Sequence, residues 1–184
     1  MRLRASPSLI LGLVLLLTAG GVHAQDQEPP SPSEYQLKAA FLFNFAKFVE
    51  WPPEAFADEK SPFIIGVLGD NPFGKELERT VEGKIVNGRY IQIREAGSLA
   101  EAKKCHILFV CNSENKRLQE VFEALRGASV LTVGDWTHFT ESGGMISFVL
   151  ENSKIRFQIN DQAARAAGLK ISSKLLNLAL RPPR

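Results

Sequence analysis

Gly69-Asp70-Asn71-Pro72-Phe73-Gly74-Lys75-Glu76 places two glycines and a lysine after an apolar run and before a helical one, the setting of a phosphate-binding loop. The chemistry fails at the last position. A nucleotide loop needs a Ser or Thr hydroxyl for its magnesium ion, whereas Glu76 and Asp70 would repel phosphate. Asn71-Pro72 is by itself a sufficient reason for a turn. Ser113-x-x-Lys116 matches the serine acylase pattern of penicillin-binding enzymes, but its Ser-Asp-Asn and Lys-Thr-Gly companions are missing, and no Gly-x-Ser-x-Gly elbow occurs. Ser113 is expected instead to cap the helix after it. Beyond residue 24 the histidines are His106 and His138, and a zinc site needs three or four ligands. Asp135 and His138 could share a helix face without a third ligand nearby, so neither metal nor cofactor is expected. His106 reads as a satisfied histidine at the start of a core strand. Glu141 and Glu151 fall in turns with nothing to pair them for acid/base work. No nucleophile, base and oxyanion donor assemble, and the chain is not expected to be an enzyme.

Cys105 and Cys111 bracket His106-Ile107-Leu108-Phe109-Val110, which reads as one buried strand. Extended chain would hold them roughly 20 Å apart, far beyond the ~5.5 Å of bridged Cα atoms. Two reduced thiols follow, with a bridge between chains left open.

The 184 residues open with Arg2 and Arg4, an apolar run from Leu9 to Leu17 and Val22-His23-Ala24, the three parts of an export signal cleaved before Gln25. No cysteine follows the cleavage site, so a soluble periplasmic protein is expected. Losing the signal removes two arginines and no acid, so 22 basic and 20 acidic residues become an even balance. A neutral domain without a basic stripe is not a nucleic-acid binder.

The elements that must position these residues begin after a polar, proline-rich tether over 25–33. Ser33 with Gln36 forms a capping-box pattern and Pro52-Pro53 a stop, predicting a helix from Glu34 to Trp51. Strands are expected at Phe63 to Gly69, Tyr90 to Arg94, His106 to Val110 and Ser129 to Val133. Helices at Lys75 to Val81, Leu99 to Lys103 and Glu114 to Leu125 lie between them. This alternation predicts an α/β three-layer sandwich with a mostly parallel sheet. Met145 to Leu150 and Ile155 to Ile159 should close it as an antiparallel hairpin, followed by a helix opened by Asp161 and ended by Gly168, and a last one capped at Ser172 or Ser173. One domain is expected over 34–180, with a tail at 181–184.

Four of the twelve phenylalanines fall in the first helix, and its apolar arc spans roughly 200° of the helix surface. Phe43 falls outside that arc, beside Asn44 and Lys47, and Trp51 ends the helix near the same side. Aromatics in a polar rim suggest a protein contact, and a helix covered on both sides is the alternative. Lys38 lies inside the arc, where it would snorkel or meet a carboxylate. Arg156 and Gln158 lie on the polar face of the hairpin and extend the candidate contact surface. Gly69, Asn71 and Asp135 mark the crevice at the strand carboxyl ends, where open α/β sheets bind ligands.

Lys38-Ala-Ala-Phe-Leu-Phe-Asn-Phe-Ala-Lys-Phe-Val-Glu-Trp-Pro52, Ile65-Gly-Val-Leu-Gly69, Leu131-Thr-Val-Gly-Asp135, Gly143-Gly-Met-Ile-Ser-Phe148, Ile155-Arg-Phe-Gln-Ile-Asn160 and Gly168-Leu-Lys-Ile-Ser-Ser-Lys-Leu-Leu176 occur in this order. Together they resemble the YfiR-like periplasmic family. The resemblance implies a regulator without known catalysis that restrains the periplasmic sensor part of a membrane diguanylate cyclase; a sensor kinase is the other membrane signalling partner expected. A periplasmic small-ligand sensor or carrier is the competing reading, and self-association into a homodimer stays open.

Overall fold

The computed structural model describes residues 32–180. The expected export signal at 1–24, most of the tether and the tail at 181–184 lie outside the described residues.

The first helix, α1 (Glu34–Phe48), starts where the capping box places it: Ser33 accepts the Gln36 N–H, and Gln36 reaches back to the Ser33 N–H at 2.8 Å. It ends three residues before the expected Trp51. Val49 adopts an extended conformation, and β1 (Val49–Glu50) pairs antiparallel with β9 (Lys170–Ile171). That distant partner overrides the helical pattern, which the prolines alone would have stopped only at Pro52.

A seven-stranded sheet follows, from β2 (Phe63–Leu68), β3 (Ile85–Val86), β4 (Arg89–Ala96), β5 (Ile107–Val110), β6 (Leu131–Gly134), β7 (Ile146–Glu151) and β8 (Lys154–Ile159). Its order is β3-β4-β2-β5-β6-β7-β8, parallel from β4 through β7 and antiparallel at both edges. The mostly parallel α/β sheet is therefore as expected. The β3–β4 hairpin was not: Asn87-Gly88 turns it with φ of 50° and 79°, a two-residue turn that Asn-Gly pairs favour.

One face carries α1, α2 (Glu76–Val81) and the carboxyl-terminal α5 (Asp161–Ala166) and α6 (Ser173–Leu178) over Ile65, Phe109, Val133, Ile146, Phe148 and Phe157. The other face packs Leu68, Leu108 and Val110 under α3 (Leu99–Ala102) and α4 (Leu118–Leu125). Ser172 caps α6 as expected, and Asn160, just before the Asp161 that opens α5, caps that helix. Ser113 does not cap α4. It lies in a 3-10 segment, Asn112–Arg117, and its hydroxyl accepts the Asp70 N–H at 3.0 Å instead.

Strand order sets where chemistry can be placed. From β2 the chain passes through α2 to β4 on one side, then through α3 to β5 on the other, so the topology reverses between β2 and β5. The carboxyl ends of those two strands splay there and leave a crevice.

Candidate functional site

At the crevice, β2 ends in Gly69-Asp70, β5 in Cys111-Asn112-Ser113 and β6 in Asp135. All of these but Gly69, with Tyr35, Pro72 and Phe109, line a cavity of about 330 Å³. The first turns of α1 cross over it and supply Tyr35 and Lys38. Lys38 Nζ lies 2.7 Å from Asp135 Oδ2 and 2.5 Å from Glu34 Oε1, and the Tyr35 hydroxyl donates to the same Asp135 oxygen at 3.2 Å. Only 4% of the Lys38 side chain and 11% of the Asp135 side chain are exposed. Burial works to lower the Lys38 pKa, but the hydrogen bonds to Asp135 and Glu34 outweigh it and hold the ammonium above its ordinary value. Burial first, and then the Asp135 charge, raise the Tyr35 phenol. Burial, with Asp135, Asp70 and Glu114 in turn, pushes the Cys111 thiol up to about 12. The crevice thus holds one internal ion pair in a negative field, with an inert thiol beside it.

Of the three residues assigned to this crevice, Asp135 is in place. Asn71 is not: its Oδ1 accepts the Phe73 N–H and its Nδ2 donates to Glu95, so it closes the turn after β2. Gly69 serves packing, since with φ of 93° a Cβ there would lie 2.4 Å from the Ser113 hydroxyl. Tyr35 was missed, though Lys38 within the apolar arc was the signal that α1 meets a carboxylate here. On the far side of Asp135 a second cavity of about 540 Å³ opens, lined by Trp136, His138, Ser147, Val149 and Gln158 among others. His138 sits in a turn with φ of 67°, and its Nδ1 lies 2.5 Å from Glu141. Asp135 and His138 therefore share no helix face, and Glu141 has a partner after all. No group of three or more potential metal ligands occurs among the described residues.

The contact surface expected on α1 divides. Phe43 is half-buried on the side facing α2, and its ring lies 5.4 Å from Lys47 Nζ and 4.5 Å from Lys84 Nζ. Lys84, which the sequence reading did not include, reaches it from the turn before β3. Asn44 is half-buried and Lys47 exposed beside it. Trp51 is not in an exposed rim. Its indole meets Phe63 edge-on at 4.9 Å and donates to the His106 carbonyl at 3.2 Å, because the chain leaves the helix at Val49 and runs back over the sheet. His106 is the satisfied histidine expected. Its Nδ1 accepts the Ile64 N–H, which leaves the proton on Nε2 to donate to the Ala55 carbonyl. Stacked against Phe56 and Phe63 at 4.4 and 4.8 Å, its ring is held down to a pKa of about 4, by burial first.

Arg156 and Gln158 do not join this patch. Phe157 packs on Phe41 and Phe45 of α1, so its neighbours along β8 point to the opposite face. There Gln158 lies opposite Ser147 and Arg156 opposite Val149. Cys105 and Cys111 are free, as expected; Cys105 belongs to one core layer and Cys111 to the other.

The family profile described as YfiR/HmsC-like matches residues 35–180. Among solved structures, the chain is similar to a conserved domain protein from Vibrio cholerae O1 biovar eltor, at a TM-score of 0.54 and 16% identity. The match covers 80% of this chain and 59% of that one, and at this identity it speaks for the fold. Among the described residues no helix is long and apolar enough to cross a membrane.

Proposed function

The chain belongs to the YfiR/HmsC-like family of periplasmic regulators of cyclic-di-GMP signalling, and from that premise we propose that it docks on and restrains the periplasmic part of a membrane signalling enzyme, a diguanylate cyclase. The family is a regulatory one that acts with membrane signalling proteins. The observation that carries the reading is Phe43, an aromatic ring held half out of the core between the cations of Lys47 and Lys84. Such a ring packs one side on the core and presents the other as an aromatic anchor inside a positive rim, the composition of an interface hot spot. Asn44 completes the patch. Trp51 supports it from behind by fixing the end of α1, and Arg156 with Gln158 forms a separate contact surface on the other face of the sheet.

Lys47→Glu tests the patch with the least disturbance, because an exposed charge contributes at most about 0.5 kcal/mol to stability. The variant should keep its melting temperature, lose affinity for the partner and raise cellular cyclic-di-GMP. Unchanged cyclic-di-GMP in Lys47→Glu and Phe43→Ala, with both proteins folded and present at wild-type level, would overturn the reading.

The crevice supports a second reading, a small-ligand sensor, favoured by one observation: the part-buried Tyr35–Asp135–Lys38 cluster stands at the edge of a cavity at the topological switch point. A ligand that displaced Lys38 from Asp135 would shift α1, which carries Phe43.

A further inference from the structure

The crevice at the carboxyl ends of β2, β5 and β6 also selects the charge of what can enter it. Among the described residues its lining includes two acids, Asp70 and Asp135, and no basic side chain. The Lys38 ammonium beside it is already engaged, against Asp135 and Glu34 and 4.5 Å over the Tyr35 ring. Asp135 uses one oxygen, Oδ2, for both Lys38 and Tyr35, and among the described residues no donor meets Oδ1, although only 11% of the side chain is exposed. The Asp70 carboxylate has no such partner either, its bond to Ser113 coming from the backbone N–H. Phe73 meets Tyr35 edge-on at 5.3 Å and Phe109 at 4.8 Å, so the two rings that line the cavity belong to one aromatic cluster.

Resting on the sensor reading of this crevice, we propose that its ligand is a small primary amine, bound as the ammonium on Asp135 with an apolar or aromatic body against Tyr35 and Phe109. Three features select that chemistry. First, Lys38 is the chain's own version of such a ligand, a primary ammonium held by carboxylates over an aromatic ring. Asp135 Oδ1 offers the same charge-assisted bond to an ammonium from outside. Second, the field of the crevice is negative: burial, then Asp135 and Asp70, keep the Cys111 thiol protonated. A carboxylate or phosphate ligand would enter that field with no cation to meet it, and an amino acid would pair its ammonium but leave its own carboxylate facing Asp70. Third, a cavity of about 330 Å³ stands at the small end of ligand sites, with room for a single ring on a short chain and none for a nucleotide. Two ammonium groups repel each other at one carboxylate. The ligand therefore competes with Lys38 for Asp135, leaves Lys38 to Glu34, and loosens the end of α1 that this ion pair holds to β6.

Calorimetric titration of the purified chain at pH 7 with phenethylamine, 2-phenylethanol and 3-phenylpropionate tests the proposal, since the three probes share a ring and differ in charge. The amine should bind, and the alcohol and the acid should bind at least about tenfold more weakly. Lys38→Met removes the resident ammonium and keeps an apolar stem, so this variant should bind the amine about tenfold more tightly than the wild type. Asp135→Asn should abolish binding. Asp70→Asn, at an exposed position where a substitution disturbs the fold little, should weaken it about threefold. Circular dichroism confirms that each variant is folded; should Asp135→Asn fail to fold, Lys38→Met and Asp70→Asn decide. Binding of the alcohol or the acid as tight as that of the amine, and lost in Asp135→Asn, overturns the amine and leaves a crevice sensor standing. If none of the three probes binds the wild type or Lys38→Met, the proposal and the sensor reading fall together. Amine binding indifferent to both Lys38→Met and Asp70→Asn puts the ligand outside the crevice and also overturns the proposal.

Discussion

The two ends of α1 solve the same packing problem with opposite chemistry. At its amino end, over the carboxyl ends of the strands, the helix buries an ammonium group between two carboxylates and a phenol. At its carboxyl end the chain clamps an imidazole between Phe56 and Phe63, with Trp51 edge-on against Phe63, over the amino ends of β2 and β5. The first arrangement has little stability to offer, because desolvating the ions offsets much of their attraction, yet breaking it leaves an uncompensated charge. The second is dry and held by ring contacts and two hydrogen bonds to the imidazole. The difference teaches where change can be felt: the charged end can exchange partners, whereas the aromatic end can only loosen. Phe43 lies between them, on the helix that both ends hold in place.

Asp135→Ala should show the sharpest contrast, since it leaves Lys38 buried with only the half-exposed Glu34. A loss of about 3 kcal/mol or more is expected in urea unfolding, and Lys38→Met should cost clearly less because Asp135 keeps the Tyr35 hydroxyl as donor. Equal losses would mean that the ion pair is not what the crevice holds together.

At the other end the sign of the pH dependence is set by His106. Its folded pKa is about 4 against an ordinary 6.5, so the unfolded chain takes up the proton first. Stability is fully present above pH 6.5 and falls as the pH drops toward 4, by up to about 3 kcal/mol from this residue. Protonating Nδ1 would also break its bond from Ile64. Comparing unfolding free energies across this window in the wild type and in His106→Gln should show a flatter slope in the variant.

Trp51→Phe keeps a ring on Phe63 but loses the indole N–H bond to His106, with an expected cost of about 1 kcal/mol and no change in partner affinity beyond it. A specific loss of affinity in a stable Trp51→Phe protein would return Trp51 to the contact surface. Ser33→Ala removes the cap of α1 and should lower stability by about 0.5–1 kcal/mol, the smallest of these effects.

Local signals made much of the fold legible. The capping box at Ser33, the short β-rich runs, the hairpin of Ile155, Phe157 and Ile159, and the caps at Asn160 and Ser172 depend on residues within a few positions of each other. The alternation of these elements determined a parallel-rich α/β sheet, because covered parallel strands must read as unbroken apolar runs. Lys38 in an apolar arc announced a buried carboxylate. That it would be Asp135, across most of the chain, was not readable, since a single sequence carries no record of which acid lies opposite. For the same reason Trp51 read as exposed. Only the pairing of Val49–Glu50 with Lys170–Ile171 ends the helix early and turns the indole onto Phe63. Ser113 read as a cap because its neighbours favour one, yet the β2–β5 junction claims its hydroxyl for Asp70. Sequence by itself determined the elements, their order and the polarity of their faces, which are local properties of side-chain type and spacing. The tertiary structure alone decided which faces meet, because long-range pairing brings together groups that no period in the chain relates.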